Sequence, residues 1–296
     1  MKCLIVGCGY VGLPLGAELV RGGHEVFGLR RSAPDELKAA GIRPLIADIT
    51  QPQSLARLPR DFDWVVNCVA SGGGGGADDY RKFYLEGNRN LISWLAASLP
   101  RTFIYTSSTR VYAQNDGSVV TEESPTEPAE PTGKVLLETE KFLLGAVADR
   151  KVPAVILRVA GIYGPGRGHW FRQFLRNEAR IEGDGSRWLN MIHRDDLVGC
   201  IIATLDRGKP GKIYNAADNG PVTQLKFFEW LAAELKRPLP PRIPTEADIQ
   251  RKRGATNKRV SNAKLRAELK YEFRFPDFRK GYAAEIARRS ADGSRA

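Results

Sequence analysis

The chain has 296 residues, of which 42% are hydrophobic and 27% are charged, an ordinary composition for a globular protein with an ample core. It contains no run of about 18 apolar residues, which excludes a membrane-spanning helix of the usual kind, and Met1 and Lys2 lead directly into a predicted strand rather than a secretory signal. The four cysteines have neither zinc-ligand nor CxxC spacing, so we expect reduced thiols, no metal site and a cytoplasmic protein.

The formal net charge of +11 indicates an anionic partner. The basic residues are spread along the chain, and the aromatic residues lie mostly in apolar runs rather than on a stacking face, so nucleic acid is the disfavoured partner. A phosphorylated cofactor together with an anionic small-molecule substrate accounts for the charge equally well. The sequence leaves a monomer and a homodimer open as alternatives.

The first element is a short apolar run followed by a glycine motif. Residues 3–6 predict a buried strand, the pattern Gly7-x-Gly9-x-x-Gly12 follows, and apolar residues at helical spacing come next. In this strand, turn and helix context the motif predicts dinucleotide binding, with Gly7 making the tight turn, Gly9 admitting the pyrophosphate and Gly12 letting the helix pack on the strand. The amides at the helix start would face the phosphates, and they include those of Tyr10 and Val11.

The second predicted strand, residues 24–29, is followed by Arg30, Arg31 and Ser32. In a dinucleotide-binding fold, an acidic residue at this point accepts hydrogen bonds from the ribose 2′-hydroxyl of NAD. Two guanidinium groups suit the 2′-phosphate of NADP instead, because they are always charged and can bind phosphate in a bidentate manner. We therefore predict NADP as the cofactor, with a solvated basic turn as the alternative explanation.

Further apolar runs predict strands at 43–47, 64–70, 102–106, 152–159 and 212–216, with helices between most of them. This alternation predicts an α/β protein with a doubly wound parallel sheet, a Rossmann fold. Ligands of such sheets bind at the carboxyl ends of the strands. The residues predicted to bind the cofactor at those ends are Asp48, Ile49, Val69, Ala70, Ser71, Thr106 and Ser107.

Two segments have an ambiguous composition. Ser71 is followed by five glycines at 72–76, which could let the backbone pass close to a cofactor, form a lid or form a plain surface loop, and a helix is predicted over 79–99. A basic segment at 251–259 contains Arg251, Lys252, Arg253, Lys258 and Arg259, which could hold an anionic substrate group or form a solvated loop.

The strand and helix pattern loosens after Gly166, which predicts a second, smaller unit. We assign residues 1–165 and about 188–217 to an NADP-binding domain. About 166–187 and 218–296 form a C-terminal substrate-binding lobe. The tail past Arg288 is expected to be disordered.

Together these motifs resemble the extended short-chain dehydrogenase/reductase superfamily, in its NAD-dependent epimerase/dehydratase group. The matching pieces are GCGYVG at the start, Asp48-Ile49, SSTRVY at 107–112, Tyr163-Gly164-Pro165, and His193 with Asp196. The resemblance implies that Ser108 hydrogen-bonds the reacting oxygen and that Asp48 and Ile49 lie near the adenine. It also implies that the chain after Gly166 covers the nicotinamide with a substrate-binding lobe.

The catalytic residues of that family are only partly present. The family uses Tyr-x-x-x-Lys on one helix face, where the Lys lowers the pKa of the Tyr phenol. No tyrosine here has a lysine four residues later. The best alignment puts Thr132 in the place of the family Tyr and Leu136 in the place of the family Lys. If Lys134 is aligned with the family Lys instead, Glu130 takes the Tyr place. Tyr84 stands at the position where the family has an asparagine on a helix. Ser108 is therefore the only one of the family's four catalytic residues that the sequence retains.

These observations leave two main hypotheses. In the first, the protein is an NADP-dependent oxidoreductase or epimerase that acts on a sugar-nucleotide-like or other anionic molecule, with Ser108 polarising a carbonyl. The proton donor would then be sought among Thr132, Tyr84, Tyr163 and His193, with Tyr163 first and His193 second, although packing and structural hydrogen bonding are the alternatives for these two. In the second, the protein is a catalytically silent NADP(H) sensor that regulates a protein partner.

Overall fold

Short runs of β-branched and other apolar residues form the strands of a central sheet. In a computed structural model that describes residues 1–32, 35–71, 75–244 and 256–291, seven strands of the described chain pair in parallel. They are β1 (Lys2–Val6), β2 (Glu25–Arg30), β3 (Arg43–Ile46), β4 (Trp64–Asn67), β5 (Thr102–Ser108), β7 (Ala154–Val159) and β12 (Ile213–Ala216), and β6 is the short strand Val119–Val120. Their order across the sheet is β12-β7-β5-β4-β1-β2-β3. The predicted doubly wound parallel sheet is confirmed.

Helices connect the strands and cover the sheet. They are α1 (Gly12–Arg21), α2 (Asp35–Ala39), α3 (Pro52–Leu55), α4 (Ala77–Tyr80), α5 (Gly87–Leu95), α6 (Pro131–Arg150), α7 (His169–Leu175), α8 (Arg194–Arg207), α9 (Gln224–Leu235), α10 (Ala263–Leu269) and α11 (Phe278–Ala291). None of the helices in the described part of the chain is both long and apolar enough to cross a membrane.

Alternating side chains of the strands build a hydrophobic core on each face of the sheet. In β1, Cys3 and Ile5 belong to one core, whereas Leu4 and Val6 belong to the other. Strand β7 divides in the same way, because successive side chains of a strand point to opposite faces. Both faces are therefore buried, as expected for a parallel sheet between two helical layers.

The strand order reverses direction between β1 and β4. The chain runs from β1 outward through β2 and β3, and then returns to β4 and continues through β5, β7 and β12. The connections after β1 and β4 consequently leave on opposite sides, which opens a crevice at the carboxyl ends of these strands. Ligands of open α/β sheets bind in this crevice.

The C-terminal part of the chain adds its own hydrophobic cluster, which includes Phe171, Phe174, Phe227, Phe278 and Tyr282. Short strand pairs border it: β8 (Gly161–Tyr163) with β11 (Met191–His193), β9 (Ile181–Glu182) with β14 (Arg242–Ile243), and β10 (Trp188–Leu189) with β13 (Val222–Thr223). A further pair joins β15 (Arg259–Val260) to β6. The domain boundaries proposed from the sequence stay a prediction.

Two predicted elements differ from the structure. The helix predicted over 79–99 is interrupted by a π-helical turn, Arg81–Glu86, between α4 and α5. The prediction of disorder past Arg288 is wrong for residues 289–291, because α11 continues to Ala291. Phe278 and Tyr282, four residues apart and almost fully buried, anchor that helix, whose many charged residues hide the periodicity.

Candidate functional site

A cavity of about 820 Å³ lies at the carboxyl ends of β1, β2, β4 and β5 and extends to the C-terminal cluster. Its walls include the glycine turn after β1 and Ser108 at the end of β5. Residues from the C-terminal part, such as Arg187, Trp188 and Lys258, complete it. The cavity therefore joins the crevice of the sheet to a second compartment whose walls come from distant parts of the sequence.

The glycine turn has the geometry that close approach of a phosphate requires. Gly7 has φ +81°, and a Cβ there would lie 2.7 Å from the Val69 nitrogen. A Cβ on Gly12 would lie 2.8 Å from the Gly7 oxygen and 2.9 Å from Ile5 Cγ2, so the first turn of α1 touches β1. A Cβ on Gly9 would meet no atom within 4 Å, so the backbone at Gly9 faces open space in the cavity wall. This cradle fits a pyrophosphate at a helix N-terminus.

The end of β2 presents two guanidinium groups. Arg30, Arg31 and Ser32 line the cavity, with Arg31 lying 5.8 Å from the centroid of the Phe83 ring. Arg30 Nη1 forms an ion pair with Glu36 Oε1 at 2.5 Å, and Glu36 is half exposed. Two guanidinium groups therefore lie at this end of the cavity, and one of them is already paired with a carboxylate.

Most of the residues predicted to bind the cofactor lie on the cavity wall. They are Gly7, Gly9, Tyr10, Val11, Arg30, Arg31, Ser32, Asp48, Ile49, Val69, Ala70, Thr106 and Ser107. Gly12 lies behind the turn, where it performs the predicted packing role. Ser71 does not line the cavity; its amide donates to the Tyr84 hydroxyl at 3.4 Å. Residues 72–74 of the predicted glycine loop lie outside the described residues.

Ser108 ends β5 and begins a short 3₁₀ turn, Thr109–Val111. Its Oγ accepts a hydrogen bond from the Arg110 amide at 3.3 Å, so the hydroxyl proton remains available to a ligand in the cavity. Beneath it, Ser107 donates to Glu140 Oε1 at 2.6 Å, and Arg158 Nη2 binds Glu140 Oε2 at 2.8 Å. A buried ion pair therefore fixes the backbone that presents Ser108.

The structure does not bring Thr132 and His193 to the cavity wall. The Thr132 hydroxyl accepts a hydrogen bond from Arg110 Nη1 at 3.3 Å. His193 is 2% exposed and caps α8, because its Nδ1 accepts from the Asp195 amide at 3.2 Å. Its Nε2 lies 3.9 Å from Glu285 Oε1. Both side chains therefore make structural hydrogen bonds away from the cavity wall, and their role as proton donors stays a prediction.

Tyr163 does border the cavity, but its hydroxyl points into the C-terminal cluster. It is 1% exposed, its ring stacks on Tyr282 at 4.4 Å, and its hydroxyl donates to the Asp277 carbonyl at 3.4 Å. Burial raises the pKa of this phenol far above its ordinary value, as do nearby carboxylates. A phenol in this environment holds its proton too tightly for exchange near neutral pH.

The structure adds wall residues that the sequence did not single out. Arg110, His169 and Arg187 line the cavity, as do the rings of Tyr80, Phe83 and Trp188. Arg110 lies inside the SSTRVY match and could have been noticed there. Arg187 and Trp188 belong to no motif, and only the tertiary fold brings them to the cavity. Leu136, which one of the two alignments above sets in the place of the family Lys, also lines the wall.

The basic segment predicted to hold an anionic group is only partly described, since Arg251, Lys252 and Arg253 lie outside the described residues. Arg259 points its Nε to the Gly117 carbonyl at 2.9 Å and is not on the cavity wall. Lys258 does lie on the cavity wall, together with Arg110 and Arg187. Three cationic side chains from separate parts of the sequence therefore lie along one cavity.

The parallel sheet, its switch point and the glycine cradle define an α/β protein of the Rossmann class. The sequence profile of the NAD dependent epimerase/dehydratase family matches residues 3–217, and the chain belongs to this family. The resemblance noted in the sequence is thereby confirmed.

Relatives and solved structures of similar length support this assignment. Protein YeeZ of Escherichia coli (strain K12) is 31% identical over 291 residues, which cover 93% of this chain and 97% of that protein. The structure of a functionally unknown conserved protein from Silicibacter pomeroyi is 28% identical, covers 97% of this chain and 98% of its own, and has a TM-score of 0.79. A dTDP-glucose 4,6-dehydratase from Streptomyces venezuelae with NAD bound has the same fold, with a TM-score of 0.84 at 20% identity over 99% of this chain and 98% of that one.

Proposed function

We propose that the protein is an NADP(H)-dependent oxidoreductase or epimerase that acts on a sugar-nucleotide-like or other anionic small molecule. The observation behind it is the single cavity that contains the glycine cradle, Ser108 and a basic wall. A structural neighbour is a dTDP-glucose 4,6-dehydratase with NAD bound, which is consistent with a substrate of this class. The proposed partner is this small molecule, and nucleic acid and membranes are not proposed as partners.

The residues present fit a nicotinamide dinucleotide. The open backbone at Gly9 and the start of α1 would hold the pyrophosphate, and Asp48 and Ile49, which line the same cavity, would lie near the adenine. A bound cofactor of this kind supplies or accepts a hydride. The protein's own contribution is then to hold the substrate oxygen at Ser108 and to exchange a proton with it.

A catalytically silent NADP(H) sensor is the second candidate. It is favoured by the apolar Leu136 in the place of the family Lys and by Thr132 outside the cavity wall. The basic wall formed by Arg110, Arg187 and Lys258 argues against it, because a sensor has no need of a second, anion-binding compartment.

The cofactor preference is tested by removing the two guanidinium groups. We expect the wild-type protein to bind NADPH more tightly than NADH, and Arg30→Ala/Arg31→Ala to lose about tenfold to a hundredfold in NADPH affinity, the effect of removing charged hydrogen bonds to a phosphate. NADH affinity should change much less. Calorimetric titration of both cofactors measures this, with the exposed Arg21→Ala as the matched control. Equal affinity of the wild type for both cofactors would contradict the NADP proposal.

The enzyme proposal is tested by a screen of sugar nucleotides and other anionic carbonyl compounds, followed by NADPH absorbance. For any compound that is turned over, Ser108→Ala should lower kcat by roughly a hundredfold, as when one preorganised donor to a developing oxyanion is lost. Thr109→Ala, on the same wall one residue later, is the control and should retain most of the activity. Tight NADPH binding without turnover of any compound would favour the sensor.

A further inference from the structure

A lysine is buried in the wall of the cavity that Ser108 also lines. Lys258 is 6% exposed, and its Nζ donates to the Tyr112 carbonyl at 3.1 Å and to Thr256 Oγ1 at 2.7 Å. Both acceptors are uncharged, and no carboxylate of the described residues forms an ion pair with this ammonium. An ammonium has three N–H groups, so one remains for a ligand in the cavity.

The short turn after β5 runs from Ser108, whose hydroxyl would bind the reacting oxygen, to the residue that holds Lys258. Ser108 begins the 3₁₀ turn and Tyr112, whose carbonyl holds Lys258, ends it. Ser108 and Lys258 both line the cavity. The two ends of one short turn thus provide a hydroxyl donor, Ser108, and a carbonyl that holds the ammonium of Lys258.

The surroundings of Lys258 favour loss of its proton. Burial and, to a smaller extent, the positive charges of Arg187 and Arg110 together lower the pKa of the ammonium to about 8. The Tyr112 phenol is directed elsewhere, to Asn215 and Arg158. A group with this pKa exchanges protons near neutrality, which the arginines of the same wall cannot do.

Three of the tyrosines on the cavity wall are less suited to this role. Burial raises the pKa of the phenol in Tyr10, Tyr84 and Tyr163. His169 also lines the wall and is a competing group, so the experiments below include it.

We propose that Lys258 is the catalytic proton donor that replaces the missing Tyr and Lys of the family. The substrate would be a ketone or aldehyde that also bears an anionic group, with its carbonyl oxygen held by Ser108. As the carbonyl carbon receives a hydride, the C=O π bond breaks and its electron pair takes a proton from Lys258 to form a hydroxyl. The neutral amine then regains a proton from water, and in the reverse direction it accepts the hydroxyl proton. This role rests on the function proposed above.

The proton affinity of Lys258 can be measured without a substrate. In protein labelled with ¹³C at lysine Cε, the NMR signal that disappears in Lys258→Met should titrate near pH 8, whereas exposed lysines titrate near 10.4. Lys264→Met, a change in the same C-terminal region at a residue off the cavity wall, is the control and should leave that signal in place. A Lys258 signal that titrates with the exposed lysines would overturn the proposal, whether or not a substrate has been found.

Catalysis provides the second test. Lys258→Met should bind NADPH within about twofold of wild type but lose roughly 10²–10⁴-fold in kcat, the usual contribution of a general acid. In the wild type, kcat/KM for carbonyl reduction should fall as the pH rises through about 8, because the ammonium is lost, and this fall should be absent from the residual activity of the variant.

Wild-type turnover by Lys258→Met, or loss of turnover in His169→Asn but not in Lys258→Met, would reject Lys258 and leave the proposed function standing. Failure of the wild type to bind either dinucleotide would instead reject the proposed function, and the titration of NADPH reveals it separately.

Discussion

Replacing Arg158 by methionine is expected to lower the free energy of unfolding by about 3–5 kcal/mol, the typical cost of leaving a buried charge without its partner. Arg158 and Glu140 are 4% and 1% exposed, and their closest atoms are 2.8 Å apart. Arg158 also donates to the Tyr112 hydroxyl at 2.9 Å. Without it, the Ser107 hydroxyl is the one side-chain donor left to the Glu140 carboxylate in the described part of the chain. Urea denaturation at neutral pH measures the loss.

Two further variants separate the buried charge from a general effect of the substitution. Arg81 forms a bidentate pair with Glu138, two residues before Glu140 on α6, but this pair is about half exposed. Arg81→Met should therefore change stability little, because water screens exposed ion pairs. Arg158→Met/Glu140→Leu should be more stable than Arg158→Met alone, since no charge is left buried. A single variant as stable as the wild type would show that Glu140 finds another partner or takes up a proton.

The fold could be predicted because its signals are local. Each buried strand is a continuous apolar run, and the glycine spacing after β1 fixes a turn within a few residues. The ends of elements were less predictable. The Asn67 side chain accepts from the Val69 amide at 3.1 Å and ends β4 three residues before its apolar run ends. The π-helical turn adds one residue to a helical repeat, which leaves no periodic signal in the sequence.

The catalytic part of the site was harder to predict because it depends on long-range contacts. Lys258 reaches a carbonyl 146 residues earlier in the chain, and it appeared in the sequence only as one member of a basic segment. Its neighbour Arg259 turns away to the Gly117 carbonyl, so adjacent basic residues have different roles. His193, the second candidate for the proton donor, caps α8. The residue type identifies candidates for the catalytic site. The burial of each side chain and the direction in which it points then distinguish among them.

The cofactor cradle allows a prediction that separates binding from folding. Gly9→Val is expected to weaken binding of NADPH and NADH alike by more than about 1,000-fold, or about 4 kcal/mol. A Cβ at Gly9 meets no protein atom within 4 Å, and its backbone is not in the left-handed region, so the folded state can accept the side chain. The added methyl groups would instead occupy the cavity where the pyrophosphate approaches the backbone. Calorimetric titration measures the binding, and the melting temperature, expected to stay close to that of the wild type, reports the fold.

The matched control is Gly145→Val, at an exposed position of α6 where a Cβ also meets no atom within 4 Å and which lies off this cavity wall. It introduces the same side chain and should leave the affinity for both cofactors unchanged. The loss in Gly9→Val should be equal for NADPH and NADH, because both contain the pyrophosphate, whereas the loss in Arg30→Ala/Arg31→Ala should fall mainly on NADPH. Retained binding by a folded Gly9→Val protein would mean that the dinucleotide lies elsewhere in the cavity, and the roles proposed for Ser108 and Lys258 would then have to be reassigned.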